Sequence, residues 1–318
     1  MPSVSPTPPQ PFVFDENNPD YREAMRQWVI DISKEARAVN PDFILIPQNC
    51  SPLLTNTGET DGMLSYAFIS AIDGLGRESL CFGAGGYGIK RGEKSRAEIA
   101  ERLVMAESLS LSVLSIDYCG LAGQIEFAEA FNQEYGFIGY AAADIELTQI
   151  PELKTEASNE ENINELSDAR NFLILLNPRD YTYKYDFIEA LSATNYDVLI
   201  IDADFNEHAS FSQADIDSLK LKANGATRLV IAYLSIGEAE DYRDYWQPDW
   251  YDTPPEWMVA ENARWDGNYI VEYWHADWQD IVLYSKTSLV NQILAAGFDG
   301  VYLDIVDGYE YFESERDN

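Results

Sequence analysis

Histidine is nearly absent, with two residues in 318, and no HExxH or CxxC spacing occurs. A histidine-rich metal site is therefore excluded, and no metal or other cofactor is implied. Cysteine is scarce and odd in number. Cys50, Cys81 and Cys119 each fall in or just after an expected strand, which points to buried free thiols rather than a disulfide framework. Positive charge is short as well. Lys and Arg number 21 against 55 acids, a net charge of −34. Nucleic acid and anionic membranes are repelled by such a chain, whereas neutral or cationic ligands are not. Most of the acids read as keeping a secreted or salt-adapted surface soluble. No apolar run approaches the roughly 18 residues of a membrane span. Residues 1–11, a Pro/Ser/Thr stretch, lack the basic and apolar regions of a signal peptide and read as a disordered tail.

The chain is 46% hydrophobic, ample for a large core, and its apolar runs alternate with helical patterns. A helix is expected over 12–39, with Asp20 able to cap it. Further helices are expected near 63–72 and over 95–108, 120–135, 185–194, 213–223 and 278–296. Strands are expected at 43–47, 74–82, 112–118, 137–142, 172–177, 198–202, 229–238 and up to Asp304. Residues 152–170 are polar and acidic and read as a connector, partly helical toward Arg170. Residues 242–278 read as a long aromatic loop. Eight strands, each preceded by a helix or connector, imply a parallel sheet, and at this length a single (β/α)8 TIM barrel. The pattern starts on a helix and ends on a strand, half a unit late.

Polar residues follow most of the apolar runs: Gln48, Asn49, Glu78, Asp117, Asp144, Asp202, Glu238 and Asp304. In a closed barrel they would ring one mouth. Any one of them could be a solvated or capping acid, and for Asp117, Asp144 and Asp204 that is the simpler reading. Acids recurring on nearly every strand, with Tyr118, Tyr233, Tyr302, Trp246 and Trp274 among them, suit a sugar. Two carboxyls flanking a glycosidic bond can protonate the leaving oxygen and stabilise an oxocarbenium-like centre. A phosphate cradle at Gly83–Gly88 is the rival, but no P-loop spacing is present and the mouth is acidic. Asp202 and Asp204 form a lone DxD, a pattern common by chance.

Longer motifs narrow the choice. They are the run Val230–Arg243 (Val-Ile-Ala-Tyr-Leu-Ser-Ile-Gly-Glu-Ala-Glu-Asp-Tyr-Arg), Tyr245-Trp246, Tyr273-Trp274, and Gly297–Asp307 (Gly-Phe-Asp-Gly-Val-Tyr-Leu-Asp-Ile-Val-Asp). Together with Asn40–Asn49, Ile72-Asp73-Gly74 and Glu78, they resemble glycoside hydrolase family 114, the endo-α-1,4-polygalactosaminidase-like family of TIM barrels. The resemblance covers nearly the whole chain outside the tail and the connector. Motif order is the departure: the segment around Pro41 to Glu78 follows the Asp304 motif in the family and precedes it here. The resemblance thus implies a circular permutant, with 12–151 as the family's second half, 152–170 as connector and 171–318 as its first half. A helical connector of that length would span roughly 28 Å, enough to run along a barrel.

By position, the resemblance implies Asp304 as nucleophile and Glu78 as general acid/base. Gln48, Asn49, Asp202, Tyr233, Glu238, Glu240, Tyr302 and Asp307 would line the sugar site, and Asp117 and Tyr118 join them from the ring of strand ends. Glu238 and Glu240 could hold a cationic amino sugar. The implied activity is retaining hydrolysis of α-1,4-linked galactosamine-type polysaccharide, the alternative being a non-catalytic carbohydrate-binding barrel. The expected partner is a poly- or oligosaccharide, with no nucleic acid, membrane span or metal. A monomer in an extracellular or cell-envelope location is expected.

Overall fold

Strands form where the chain is continuously apolar, and helices where apolar residues recur every three or four positions behind a cap. The structure is a computed structural model that describes residues 12–151, 153, 158–206 and 209–316. The expected tail, 1–11, lies outside them. Helix α1 (Tyr21–Val39) starts after Asp20, whose side chain accepts the Glu23 N–H, and buries Met25, Trp28, Val29, Ile32 and Ala36 on one face. Residues 12–20 stay irregular because Pro19 disfavours helix in the residue before it.

In chain order there follow β1 (Ile44–Pro47), a single turn α2 (Tyr66–Ile69), β2 (Gly74–Glu78), α3 (Glu93–Ser108), β3 (Ser112–Tyr118), α4 (Ala122–Tyr135) and β4 (Ile138–Ala142). The second half adds β5 (Phe172–Leu175), α5 (Lys184–Ser192), β6 (Val198–Asp202), α6 (Gln213–Leu219) and β7 (Leu229–Ser235). The segment expected as an aromatic loop, 242–278, carries two strands instead, β9 (Met258–Glu261) and β10 (Asn268–Val271), which form an antiparallel sheet with β8 (Glu238–Glu240) just before it, in the order β8-β10-β9. The expected helix over 278–296 is broken. Helix α7 (Ala276–Gln279) passes through a wide turn, and Ser288 then caps a new helix, α8 (Leu289–Ala296). Strand β11 (Gly300–Asp304) is not the last element as expected. Helix α9 (Tyr309–Arg316) follows and packs on the start of α1 through an Arg22–Glu313 ion pair at 2.8 Å and a Tyr21–Phe312 ring contact.

All pairing among β1–β7 and β11 is parallel, in two sheets ordered β1-β11-β7-β6-β5 and β2-β3-β4. A parallel bridge from Gln48 to Gly76 joins them. At the far ends, Tyr140 of β4 packs on Phe172 of β5, and beyond the strands the Leu176 N–H donates to the Leu147 carbonyl at 3.1 Å. The fold is mixed α/β with a parallel central sheet in which β1, β5, β6, β7 and β11 are almost wholly buried, while β4 stays half-exposed.

The connector departs from its expected helical form. Residues 152 and 154–157 lie outside the described residues, and 158–170 contains only a 3-10 turn at Leu166–Asp168. This stretch is fastened to a fully buried ion pair, Lys222–Asp197 at 2.6 Å. Lys222 also donates to the carbonyls of Asn159 and Glu161, which ties them to the loop after α6. Among the described residues no helix is long and apolar enough to cross a membrane.

Candidate active site

Parallel strands deliver their C-terminal residues to one end of a sheet. At that end lies a cavity of about 900 Å³, within the range of ligand sites. Gln48, Asn49, Glu78 and Tyr118 reach its wall from β1 to β3. Asp202, Tyr233, Glu238, Glu240, Asp304 and Asp307 reach it from β6, β7, β8, β11 and the turn after β11.

Asp304 is held by three donors from three elements. Its Oδ1 accepts from Gln48 Nε2 and from the Ile305 N–H, both at 2.8 Å, and its Oδ2 accepts from the Tyr233 hydroxyl at 2.6 Å. Gln48 is oriented in turn by the Tyr302 hydroxyl, which donates to its Oε1 at 2.8 Å. Tyr302 needs the space that Gly76 leaves, since a Cβ at 76 would lie 2.0 Å from its hydroxyl. Burial pushes the Asp304 carboxyl up to about 7, opposed by the Tyr233 hydrogen bond and reinforced by repulsion from Glu78.

Glu78 sits differently. Its carboxylate accepts the Tyr118 hydroxyl and its backbone N–H donates to Asn49 Oδ1 at 3.3 Å. Burial raises its pKa, and Asp307 adds to the rise. Asn49 ties three elements together, because it also accepts from Arg77 Nη1 at 3.2 Å and donates to Asp307 at 3.0 Å. Burial raises the Asp307 carboxyl too.

One backbone device recurs. Gln48, Glu78 and Asp304 are each followed by a non-glycine residue in the left-handed region: Asn49 at φ 54°, Ser79 at φ 55° and Ile305 at φ 57°. For a β-branched isoleucine this conformation is strained. Each strand thus turns sharply just past its polar residue, which leaves that side chain at the cavity wall.

On the opposite flank Arg243 grips Asp202 through two bonds of 2.6 and 2.7 Å, and its Nε reaches Glu240 at 2.7 Å. Burial alone would lower the guanidinium's pKa, but these two carboxylates carry it well above its ordinary value. Tyr242 donates to Glu240 at 2.6 Å. Glu238 accepts from two amides, Asn262 at 2.7 Å and Asn268 at 3.3 Å, and burial raises its pKa.

Several expected residues stand elsewhere. Asp117 is fully buried and faces away from the cavity, between two wall residues, Ile116 and Tyr118. Its Oδ1 instead holds the turn after β2 by accepting the Cys81 and Phe82 N–H groups at 2.6 and 2.8 Å. Tyr302 is likewise fully buried and acts on the wall only through Gln48. Trp246 packs among Trp250, Tyr251 and Tyr269, and Trp274 among Phe14, Tyr273 and Phe312. Asp144 accepts from Thr148. The Gly83, Gly86 and Gly88 N–H groups are spent on the carbonyls of Ile89, Gly83 and Tyr118, so they form no anion cradle. Cys50, Cys81 and Cys119 are free and buried.

Sequence reasoning missed the roles of Arg243, Tyr242, Asn262, Asn268 and the wall residue Trp265. Arg243 carried a signal, as the only base between Arg228 and Arg264 in an acidic and aromatic stretch. Among the described residues no cluster of His, Cys, Asp and Glu is arranged to hold a metal ion.

Comparison with known proteins adds a family. The sequence model of glycoside-hydrolase family GH114 matches residues 157–318. An uncharacterized protein of Methanocaldococcus jannaschii is 38% identical over 161 residues, covering 50% of this chain and 44% of its own length. Uncharacterized proteins of Thermotoga maritima and Deinococcus radiodurans are 36% and 34% identical, each over 39% of this chain and 37% of their own. The chain spans less than half the length of these relatives.

Proposed function

The chain belongs to glycoside-hydrolase family GH114, and from that premise we propose that it hydrolyses α-1,4-linked galactosamine-type polysaccharide with retention of configuration. The observation that carries this reading is the convergence of Asp304 and Glu78 on one cavity in unlike surroundings. Two repelling carboxyls, both raised by burial, keep a proton between them near neutral pH. Burial alone would leave that proton on Asp304 near pH 7, but three donors await the Asp304 charge, so in the reactive form of the coupled pair Asp304 is ionised and Glu78 carries the proton. Glu78 then protonates the glycosidic oxygen while Asp304 attacks the anomeric carbon. The leaving chain departs with that proton and a glycosyl ester forms on Asp304. Glu78, now ionised, takes a proton from water, and the resulting hydroxide displaces Asp304 to complete the turnover. Glu238 is a wall acid that Arg243 does not reach, and it suits a protonated amino sugar.

The same reading takes the sheets as one closed (β/α)8 barrel, circularly permuted. In its favour, β1 pairs with β11, and the segments after the two outermost strands, β4 and β5, line the same cavity as Asp304. A chain rejoined as 158–318 followed by 12–151, which keeps the Asn159 and Glu161 bonds to Lys222, should keep its activity, and its failure to fold would sink the permutation.

The test of the activity is sugar release from de-N-acetylated polygalactosamine. Wild type should release α-configured product first by NMR, and Asp304→Asn should lose about 10⁴-fold or more. β-Configured first product would overturn retention. Binding without cleavage by wild type would make the protein a carbohydrate-binding one.

A further inference from the structure

The cavity has two unlike sides. Around Asp304, Glu78, Asp307 and Glu238 it is acidic and hydrogen-bonded. Across from them, at the seam where β4 meets β5, it is aliphatic. Ile145 and Leu147 follow β4, Ile174 and Leu176 belong to β5 and its exit, and all four line the cavity. The backbone bond from the Leu176 N–H to the Leu147 carbonyl holds the two segments together. Ile145 is 44% exposed although it lines a ligand-sized cavity, so its apolar surface is open to whatever enters. The seam's two charged residues on the wall, Glu146 and Arg179, are of opposite sign, whereas over the whole wall carboxylates outnumber guanidiniums nine to two. Asn177 adds a neutral amide, positioned by its bond to the Glu146 carbonyl at 2.7 Å.

An ammonium group at this seam would lose hydration against aliphatic carbon and find no net negative charge in return, since the Arg179 guanidinium offsets the Glu146 carboxylate. An acetamido group would lay its methyl on that carbon and keep a polar amide for Asn177 or solvent. We propose that the β4–β5 seam is a subsite for an uncharged, N-acetylated sugar unit. The preferred substrate is then a partially N-acetylated galactosamine chain, with a free amine toward the acidic wall and an acetylated unit at the seam. This rests on the hydrolase reading of the same cavity, but it can be tested apart from turnover.

Defined α-1,4-linked galactosamine tetramers serve as probes, one fully deacetylated and a set of mono-acetylated ones carrying a single N-acetyl group at each position in turn. Wild type should cleave the best mono-acetylated tetramer with kcat/KM at least about tenfold above the deacetylated one. Ile145→Asp, at an exposed position that leaves the core intact, should reverse that preference, as should Leu176→Asp. Affinities of the same tetramers for Asp304→Asn, measured by calorimetry, supply the second arm. A tenfold binding preference for an acetylated tetramer without cleavage by wild type supports the subsite and removes the hydrolase reading. Preference for the deacetylated tetramer in both arms, or a ratio unmoved by Ile145→Asp and Leu176→Asp, overturns the subsite.

Discussion

Asp304 and Glu78 end two strands of one sheet system and face one cavity, yet their surroundings differ. Asp304 receives donors from β1, from β7 and from its own following backbone. Among the described residues Glu78 receives one side-chain donor, Tyr118. Both are raised by burial. The difference lies in what happens on losing a proton. Asp304 has a hydrogen bond waiting for its charge on both oxygens, and Glu78 has one on Oε1. A carboxylate prepared for charge suits a nucleophile, and one that is less prepared suits a proton carrier. The contrast therefore teaches role assignment from donor count and not from burial, which is shared.

The strongest way to break the contrast is to delete each carboxyl and offer an outside replacement. Asp304→Ala and Glu78→Ala should each lose about 10⁴-fold or more in kcat on an unactivated chain. Azide should then separate them. In Glu78→Ala it can displace Asp304 from the glycosyl ester and give an azide of retained configuration. In Asp304→Ala it attacks the substrate directly and gives the inverted one. NMR of the glycosyl azide distinguishes the two, and the same configuration from both variants would end the assignment.

Much of this arrangement was legible in the sequence. Runs such as Phe43–Pro47 and Val198–Ile201 mark buried strands, and a run closing on an acid placed Asp202 and Asp304 at strand ends. Facing was not legible. In strands buried on both sides nothing alternates, so Asp117 could not be told from Tyr118, nor Tyr302 from its neighbours, as wall or backing. The left-handed turns at Ser79 and Ile305 carry no glycine to announce them. The β8-β10-β9 sheet had a mark in Asp266-Gly267, where Gly267 adopts φ 83° in the turn leading into β10, but its strands of three and four residues are too short for a periodic signal. The connector's polar run gives no hint that Lys222, about sixty residues later in the chain, captures its carbonyls.

Smaller changes sharpen the contrast through pH. Tyr233→Phe removes a donor from the Asp304 carboxylate, so ionisation becomes harder and the acid limb of kcat/KM moves to higher pH. Tyr118→Phe removes the donor from Glu78, which then holds its proton longer, so the basic limb moves up instead. Each should lower kcat by about 10–100-fold. The limbs belong to the coupled pair, so each shift is read against wild type on one substrate. Movement of the same limb in both variants would mean that the two carboxyls are not divided as proposed.

The smallest effect is on stability, and its sign is opposite to that on activity. Asp304 is raised in the folded state from its ordinary 3.8 to about 7. Between those values the folded protein holds a proton that the unfolded chain has released, so stability falls as pH rises and the full cost is present above about 7. Taken at face value, ionising such a group costs about 4 kcal/mol. Solvent reaching this part-buried carboxylate reduces that to about 1–2 kcal/mol. Asp304→Asn removes the titration with little change of shape. Its amide oxygen can still accept from Gln48 and Ile305, and the Tyr233 hydroxyl can turn to accept from the new NH₂. The variant should therefore be more stable than wild type by about 1–2 kcal/mol at pH 8, with the gap closing toward pH 4. Thermal or urea unfolding at the two pH values measures it. A gap of the same size at both would show that Asp304 carries its charge without penalty, and burial would then no longer be common to the two carboxyls.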